Sequence, residues 1–213
     1  MKSFPEKKSL ILLRNGNKIG HAVYGNKNNF PIFYFHGWPG SRFELKNIPL
    51  KKKKCFIIAL ERPGYGISDS ISNFKITDWP KIVLEVANKL KIKKFSIIGV
   101  SGGAPFALAC ANVIKSKRLK SVAIVCPLAP HNAKGMNKGR VGMLLNYGKK
   151  PFISWLLINF LRMRLLNSNL EKIFNRWKNK IPLSKSDTKL FTIDRGIRLM
   201  ENFKESIKHG ITG

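Results

Sequence analysis

Residues Gly99 to Gly103 read Gly-Val-Ser-Gly-Gly and place Ser101 between small residues, directly after a short apolar run. This pattern is typical of a sharp strand-to-helix turn that pins a serine in a strained backbone conformation. Glycine fits two residues before and after the serine, at Gly99 and Gly103, because a Cβ atom at either position would collide with the neighbouring chain. The small residues Ala104–Ala111, with proline in the first turn, predict the helix that follows. We therefore predict a nucleophile elbow with Ser101 at the positive end of a helix.

Two more glycine-bearing loops follow apolar runs upstream. The run Pro31–Phe35 leads into His-Gly-Trp-Pro-Gly-Ser at residues 36–41, and the run Cys55–Leu60 leads into Glu-Arg-Pro-Gly-Tyr-Gly-Ile-Ser at residues 61–68. Apolar residues follow one another almost without interruption in both runs, as expected of parallel strands that are covered on two faces. Because ligand sites of open α/β sheets gather at the carboxyl ends of the strands, we expect the three loops to form one site.

In their order and spacing, these segments resemble the alpha/beta hydrolase fold family, over roughly Ser9 to Val125. The first loop resembles the family's oxyanion loop, the second its loop after the next strand, and the third its elbow. Glu61 is a departure, since the family usually carries Asp there. The resemblance implies an α/β fold with a mostly parallel sheet, helices on both faces, and a helical cap. On the family's pattern, the chain ends before the strands that carry the triad acid and histidine.

The chemistry that the resemblance implies is acyl transfer from an ester, lactone or amide of a small molecule. Ser101 would be the nucleophile, and the backbone N–H groups of Trp38 and Gly102 would form the oxyanion hole. No cofactor and no metal are expected. Structural positions in the two loops are expected at His36, Gly37, Gly99 and Gly103.

The acid and base of a triad are the missing part of this hypothesis. In this family the order is serine, then Asp or Glu, then histidine, and Ser101, Asp194 and His209 formally satisfy it. However, the interval between Asp194 and His209 is too short for the helix, strand and loops that normally lie there, and Asp187 has the same problem. We interpret His21 as a solvated or packed strand residue. His36 and His131 are interpreted as a structural loop residue and as a surface or pocket-rim residue.

Two alternatives therefore stand beside an active serine hydrolase. One is a truncated, catalytically inactive hydrolase fragment that binds small acyl compounds. The other is a basic binding protein that uses the fold as a platform. We expect an N-terminal hydrolase core at residues 1–130 and a helical cap or lid at residues 131–213.

Composition limits the partners. The chain has 213 residues, with 40 Lys and Arg against 11 Asp and Glu, for a formal net charge of +29. A charge of this size attracts polyanions nonspecifically, but no recognised nucleic-acid module is present, so no specific nucleic-acid partner is expected. We expect reduced, buried thiols at Cys55, Cys110 and Cys126, and a cytoplasmic location, since no signal-peptide core is evident.

The periodicity of the remaining chain predicts further elements. A hairpin is expected from Leu10–Arg14 and Lys18–Tyr24, a helix capped by Thr77 over Thr77–Leu90, and a strand at Leu119–Val125. Beyond His131 the pattern is helical, with predicted helices at Phe152–Leu166 and Ser184–His209. The first of these is shorter than the roughly 20 apolar residues that span a bilayer, so no transmembrane segment is expected.

Overall fold

Six strands form one sheet in the order β1-β2-β4-β3-β5-β6 in the computed structural model of the chain. The structure describes residues 9–46, 48, 50, 54–127, 129, 133–134, 151–178 and 192–207. The strands are β1 (Ser9–Leu12), β2 (Lys18–Gly25), β3 (Pro31–Phe35), β4 (Phe56–Leu60), β5 (Phe95–Val100) and β6 (Leu119–Val125). Strands β3 to β6 are mutually parallel, whereas β2 is antiparallel to β1 and β4. The predicted α/β class is confirmed.

The first two strands form the expected hairpin. Gly16 has a φ of 85°, which glycine adopts readily, and Leu13 donates its N–H to the Asn17 carbonyl at 2.7 Å. The tight turn folds β2 back beside β1, and the other edge of β2 pairs with β4.

Helices α1 (Trp79–Lys89) and α2 (Ala104–Val113) pack on the same face of the sheet, in one core with Phe33, Phe95 and Ile97. On the opposite face of the sheet, Tyr34, Ile57 and Ala59 pack against Leu45, which lies in the turns after β3.

Helix α1 follows a 3-10 turn, Ile76–Asp78, and the prediction that Thr77 caps the helix is wrong. The side chain that caps this segment is Asp78, which accepts the Lys75 N–H at 2.9 Å, rather than Thr77. Asp78 is the better choice because a carboxylate also favours the positive end of a helix.

The C-terminal part of the described chain is helical, as predicted, with α3 (Pro151–Leu166), α4 (Leu170–Lys178) and α5 (Ile193–Ser206). The flanks of the predicted Ser184–His209 helix, residues 184–191 and 208–209, lie outside the described residues. Helix α4 packs on α5, where a Cβ at Gly196 would overlap the ring of Phe174. Within the described ranges, no helix is long and apolar enough to cross a membrane.

The burial expected for the three thiols holds only for Cys110. Cys55 is partly exposed and Cys126 is exposed. Cys126 directly follows β6, the last strand in the sheet order, in which only Leu119 is buried, so the strand does not cover the thiol.

Candidate active site

Ser101 follows the last residue of β5 in the left-handed region, with a φ of 48°. A side-chain-bearing residue is uncommon in this region, so its surroundings must hold it there. A Cβ at Gly99 would lie 2.6 Å from the Cβ of Ala107, and one at Gly103 would lie 2.7 Å from the His36 carbonyl oxygen. Both distances are too short for real atoms. The close approach of strand, turn and helix therefore requires glycine at both positions.

The loop after β3, residues 36–44, lies against this turn, and we call it the β3 loop. A Cβ at Gly102 would lie 2.8 Å from the Cβ of Trp38 and 3.2 Å from its backbone nitrogen. A Cβ at Gly37 would lie 3.5 Å from the Cβ of Ser101. Ser101 is partly exposed and Trp38 is 46% exposed. The structure thus brings four of the predicted site residues together, with the Ser101 and Trp38 side chains partly exposed to solvent.

The backbone of the β3 loop is held by buried polar side chains. Arg62 donates Nη1 to the His36 carbonyl at 2.6 Å and Nη2 to the Gly37 carbonyl at 3.0 Å. From another side, Oε2 of Glu44 accepts the Gly37 N–H at 3.0 Å and the Tyr34 hydroxyl at 3.1 Å. Burial raises the pKa of Glu44 and lowers that of Arg62. These bonds fix both peptide planes that flank Gly37.

His36 is fully buried, with its ring 5.2 Å from that of Tyr65. Its Nδ1 lies 2.9 Å from the Gly37 carbonyl oxygen, which only accepts, so Nδ1 carries the proton. Burial, and then the Arg62 charge, hold the pKa of His36 well below its usual value, so the ring is neutral at pH 7. His36 therefore supports the loop.

Glu61 is also fully buried, at the start of the loop after β4 (the β4 loop, residues 61–68). It pairs with Arg42 at 2.7 Å and accepts the Ile67 N–H at 2.9 Å. Burial raises the pKa of Glu61, and Arg42 opposes that shift. A Cβ on Gly20 or Gly66 would overlap the carboxylate, so these glycines leave room for a side chain one methylene longer than Asp.

Helix α5 contacts the β3 loop from far along the chain. Asn202 Oδ1 accepts the Ser41 N–H at 3.0 Å and the Ser41 hydroxyl at 2.5 Å. Next to this pair, Glu205 lies 3.0 Å from Arg42. The loop that carries Trp38 is thus linked to the last described helix.

No acid–base pair is assembled within the described ranges. His21 lies on β2, where burial lowers its pKa, and neither His21 nor His36 hydrogen-bonds to Ser101. Asp194 is exposed in the first turn of α5, which continues as a helix to Ser206. The remaining candidates, His131, His209 and Asp187, lie outside the described residues.

The sequence pattern gave no role to several residues that build this site, namely Arg42, Glu44, Arg62 and Asn202. A weak signal existed for Glu44, because only 11 acidic residues occur in a chain with 40 basic ones and this one follows a predicted strand end. No local signal pointed to Asn202, which lies 161 residues from Ser41.

The model of the alpha/beta hydrolase fold family matches residues 31–186, which include both loops and the elbow. The chain belongs to the alpha/beta hydrolase fold family. Its resemblance to that family is therefore confirmed, and the loops around Ser101 correspond to the matched range.

Curated relatives of this alpha/beta hydrolase match over its core. The hydrolase YugF of Bacillus subtilis, whose own function is uncharacterized, is 28% identical over 115 residues, which are 53% of this chain and 42% of YugF. A Mycoplasma genitalium protein with the provisional name proline iminopeptidase is 30% identical over 110 residues, or 49% of this chain and 35% of that protein. The chain thus matches less than half the length of either relative.

Solved structures share the fold of this alpha/beta hydrolase at low identity. An esterase from Exiguobacterium antarcticum is similar with a TM-score of 0.57 and 18% identity, covering 96% of this chain and 76% of the esterase. The epoxide hydrolase CorEH gives a TM-score of 0.59 and 17% identity, covering 94% and 74%. Because the two neighbours are named for different reactions, their likeness shows the fold alone.

Proposed function

We propose that this alpha/beta hydrolase is a serine hydrolase that cleaves an ester, lactone or amide of a small molecule through an acyl-enzyme on Ser101. The observation that carries the proposal is the placement of Ser101, strained and partly exposed at the end of β5, beside Gly37 and next to the Trp38–Gly102 contact. The names of the two curated relatives, a hydrolase and an iminopeptidase, support hydrolysis.

In the proposed reaction, Ser101 Oγ attacks the acyl carbon, and the carbonyl electron pair moves to the carbonyl oxygen. The backbone N–H groups of Trp38 and Gly102 donate to this oxyanion, each lowering the barrier by about 3 kcal/mol. The tetrahedral intermediate then expels the alcohol or amine, and water hydrolyses the acyl-enzyme. Glycine at position 102 keeps the two donors close, since a side chain there would push Trp38 away.

The proton of Ser101 needs a base, and this requirement defines the second candidate function. His21 and His36 do not bond to Ser101, so a histidine base within the chain would have to be His131 or His209. A chain without a base would still hold the oxyanion donors, and oxyanion stabilisation and binding alone leave at most roughly 10³ to 10⁴-fold catalysis over water. Without a triad, it would act mainly as a hydrolase fragment that binds small acyl compounds.

Labelling with a fluorophosphonate distinguishes the two candidates. We expect rapid labelling of the folded chain, with the adduct located on Ser101 by peptide mass spectrometry and abolished in Ser101→Ala. Ser96→Ala is the matched control, because Ser96 lies on the same strand and bonds to Ser121 instead. A folded sample that labels no faster than Ser101→Ala would support the inactive fragment. If the wild-type chain does label, the variants His131→Asn and His209→Asn would show which histidine acts as the base.

A basic binding role is supported by a different region. The register pairs Phe95 with Leu119, so Lys93 and Lys94 lie beside Lys117 at the end of the sheet opposite Ser101. Such a cluster would hold polyanions through phosphate or sulfate charges. We expect salt-sensitive retention on heparin, reduced in Lys93→Glu/Lys94→Glu. Unchanged retention would assign the binding to net charge alone.

A further inference from the structure

Arg62 is a buried cation that donates to two backbone carbonyls, and Tyr65 also stabilises its charge. Arg62 is 3% exposed, and among the described residues no carboxylate lies within ion-pair distance of its guanidinium. Its guanidinium lies over the rings of Tyr65, at 4.6 Å, and Phe106, at 5.0 Å. Taking a cation out of water without a paired carboxylate is costly, and the bonds that Arg62 donates to the His36 and Gly37 carbonyls offset only part of that cost.

The carbonyl that Arg62 contacts belongs to the peptide of an oxyanion donor. The Gly37–Trp38 peptide bond is trans, so the Gly37 C=O and the Trp38 N–H point in opposite directions. Arg62 Nη2 and His36 Nδ1 both lie on the carbonyl side, at 3.0 and 2.9 Å from the oxygen. The Trp38 N–H therefore points away from Arg62, and its nitrogen lies beside Gly102.

We infer that Arg62 is a positioning residue of the oxyanion hole, which orients and polarises the Gly37–Trp38 peptide so that the Trp38 N–H donates to the oxyanion. The inference rests on the proposed function, since an oxyanion forms only if Ser101 attacks an acyl group. It adds a role for a side chain that does not touch substrate.

Two physical effects support this role. Two donors on one carbonyl oxygen polarise the amide, which strengthens the hydrogen bond that its own N–H gives. In addition, the guanidinium places a positive charge behind the donor in a region of low dielectric, where it favours negative charge on the substrate oxygen. Glu44 accepts the Gly37 N–H at 3.0 Å, so it holds the preceding peptide from the side opposite Arg62.

The test compares Arg62→Met, which removes the charge and the donors, with Arg62→Lys, which keeps the charge but not the paired donors. Arg118→Lys is the matched control, because Arg118 Nη2 also donates to a carbonyl, that of Ile92 at 2.8 Å, at the far end of the sheet. The readouts are kcat and KM for p-nitrophenyl acetate and the inhibition constant of a trifluoromethyl ketone. Such a ketone adds to serine and forms a tetrahedral oxyanion.

We expect Arg62→Met to lower kcat and weaken ketone inhibition by about tenfold or more, with KM within about twofold, because the lost interaction exists only in the transition state. Arg62→Lys should show a smaller change in the same direction, and Arg118→Lys none. If Arg62→Met does not fold, Arg62→Lys carries the comparison, with its thermal midpoint measured alongside.

The inference would be overturned if either folded variant kept wild-type ketone inhibition, or changed KM and the thermal midpoint while kcat stayed the same. Arg62 would then contribute packing only. Failure of the proposed function has a different signature, because the wild-type chain itself would form no adduct on Ser101 with the ketone. In that case the inference falls with it.

Discussion

The backbone nitrogen of Trp38 lies 3.2 Å from the position that a Cβ on Gly102 would occupy. The two residues follow different strands, β3 and β5, which are parallel neighbours paired with Phe35 opposite Gly99. Both strands therefore end at the same edge of the sheet, and the residues just beyond them meet. Strand register thus places two amides next to Ser101.

Gly102→Ala should disrupt this contact. The added methyl would lie 2.8 Å from the Trp38 Cβ, so the β3 loop must move and one donor is lost. We expect the rate of Ser101 labelling to fall by roughly tenfold or more. Trp38→Phe is the control, since it keeps the backbone and Cβ and changes only an exposed ring. Equal loss in both variants would show that the ring, rather than the backbone contact, matters.

Glu61→Asp should destabilise the fold although it restores the residue usual in the family. The shorter side chain would withdraw from Arg42 and Ile67 and leave buried polar groups without full partners. We expect the free energy of unfolding to fall by about 1–3 kcal/mol in urea titrations. Glu171→Asp, at an exposed position of α4, should change it little. An unchanged midpoint for Glu61→Asp would show that the chain closes around the shorter acid.

Asn202→Leu should loosen α5 from the β3 loop. The substitution removes the acceptor of both Ser41 bonds, and each orphaned donor costs about 1–3 kcal/mol when buried. We expect faster hydrogen exchange in α5 and in residues 38–42. The neighbouring, exposed Glu201→Leu is the control. Identical exchange in the two variants would contradict an anchoring role for Asn202.

His36 should make stability depend on pH. Burial holds the pKa of His36 well below its usual value of 6.5 in the folded chain, so only the unfolded chain takes up a proton as pH falls below that value. The stability that neutral His36 contributes to the folded chain is therefore complete above about pH 6.5. It is lost on acidification, by at most about 1.4 kcal/mol per pH unit.

The measurement is the free energy of unfolding of the wild-type chain and His36→Asn between pH 7.5 and about 5.5. Glu61 and Glu44, whose pKa values are raised, contribute with the opposite sign from about pH 4.5 upward, but they are present in both proteins. We expect a shallower decline in His36→Asn. Parallel curves would mean that His36 takes up protons equally in both states.

The three cysteines should differ in alkylation by iodoacetamide. Cys126 is exposed, whereas burial raises the pKa of Cys110 to about 12. The thiolate is the reactive form, so Cys126 should be modified first and Cys110 only after unfolding. Peptide mass spectrometry over time measures the order, with a denatured sample as the control. Early modification of Cys110 would indicate that α2 opens readily.

Local patterns predicted the elements that depend on local physics. The apolar runs placed β3, β4 and β6 to within a residue, and the glycines around Ser101 predicted a turn that sterics requires. The pattern could not predict that Gly20 and Gly66 make room for Glu61, because these residues come from separate strands and loops. Nor could it predict exposure of Cys126, which depends on the position of β6 at the end of the sheet order.

The sequence by itself determined the family, the parallel core and the serine at the end of β5, because apolar periodicity and glycine spacing act over a few residues. Only the tertiary structure decided which side chains hold the β3 loop. Arg62, Glu44 and Asn202 reach it from three separate segments, and their partners are mostly backbone groups, which carry no sequence signature. Their meeting depends on strand order and helix docking, which are properties of the whole folded chain.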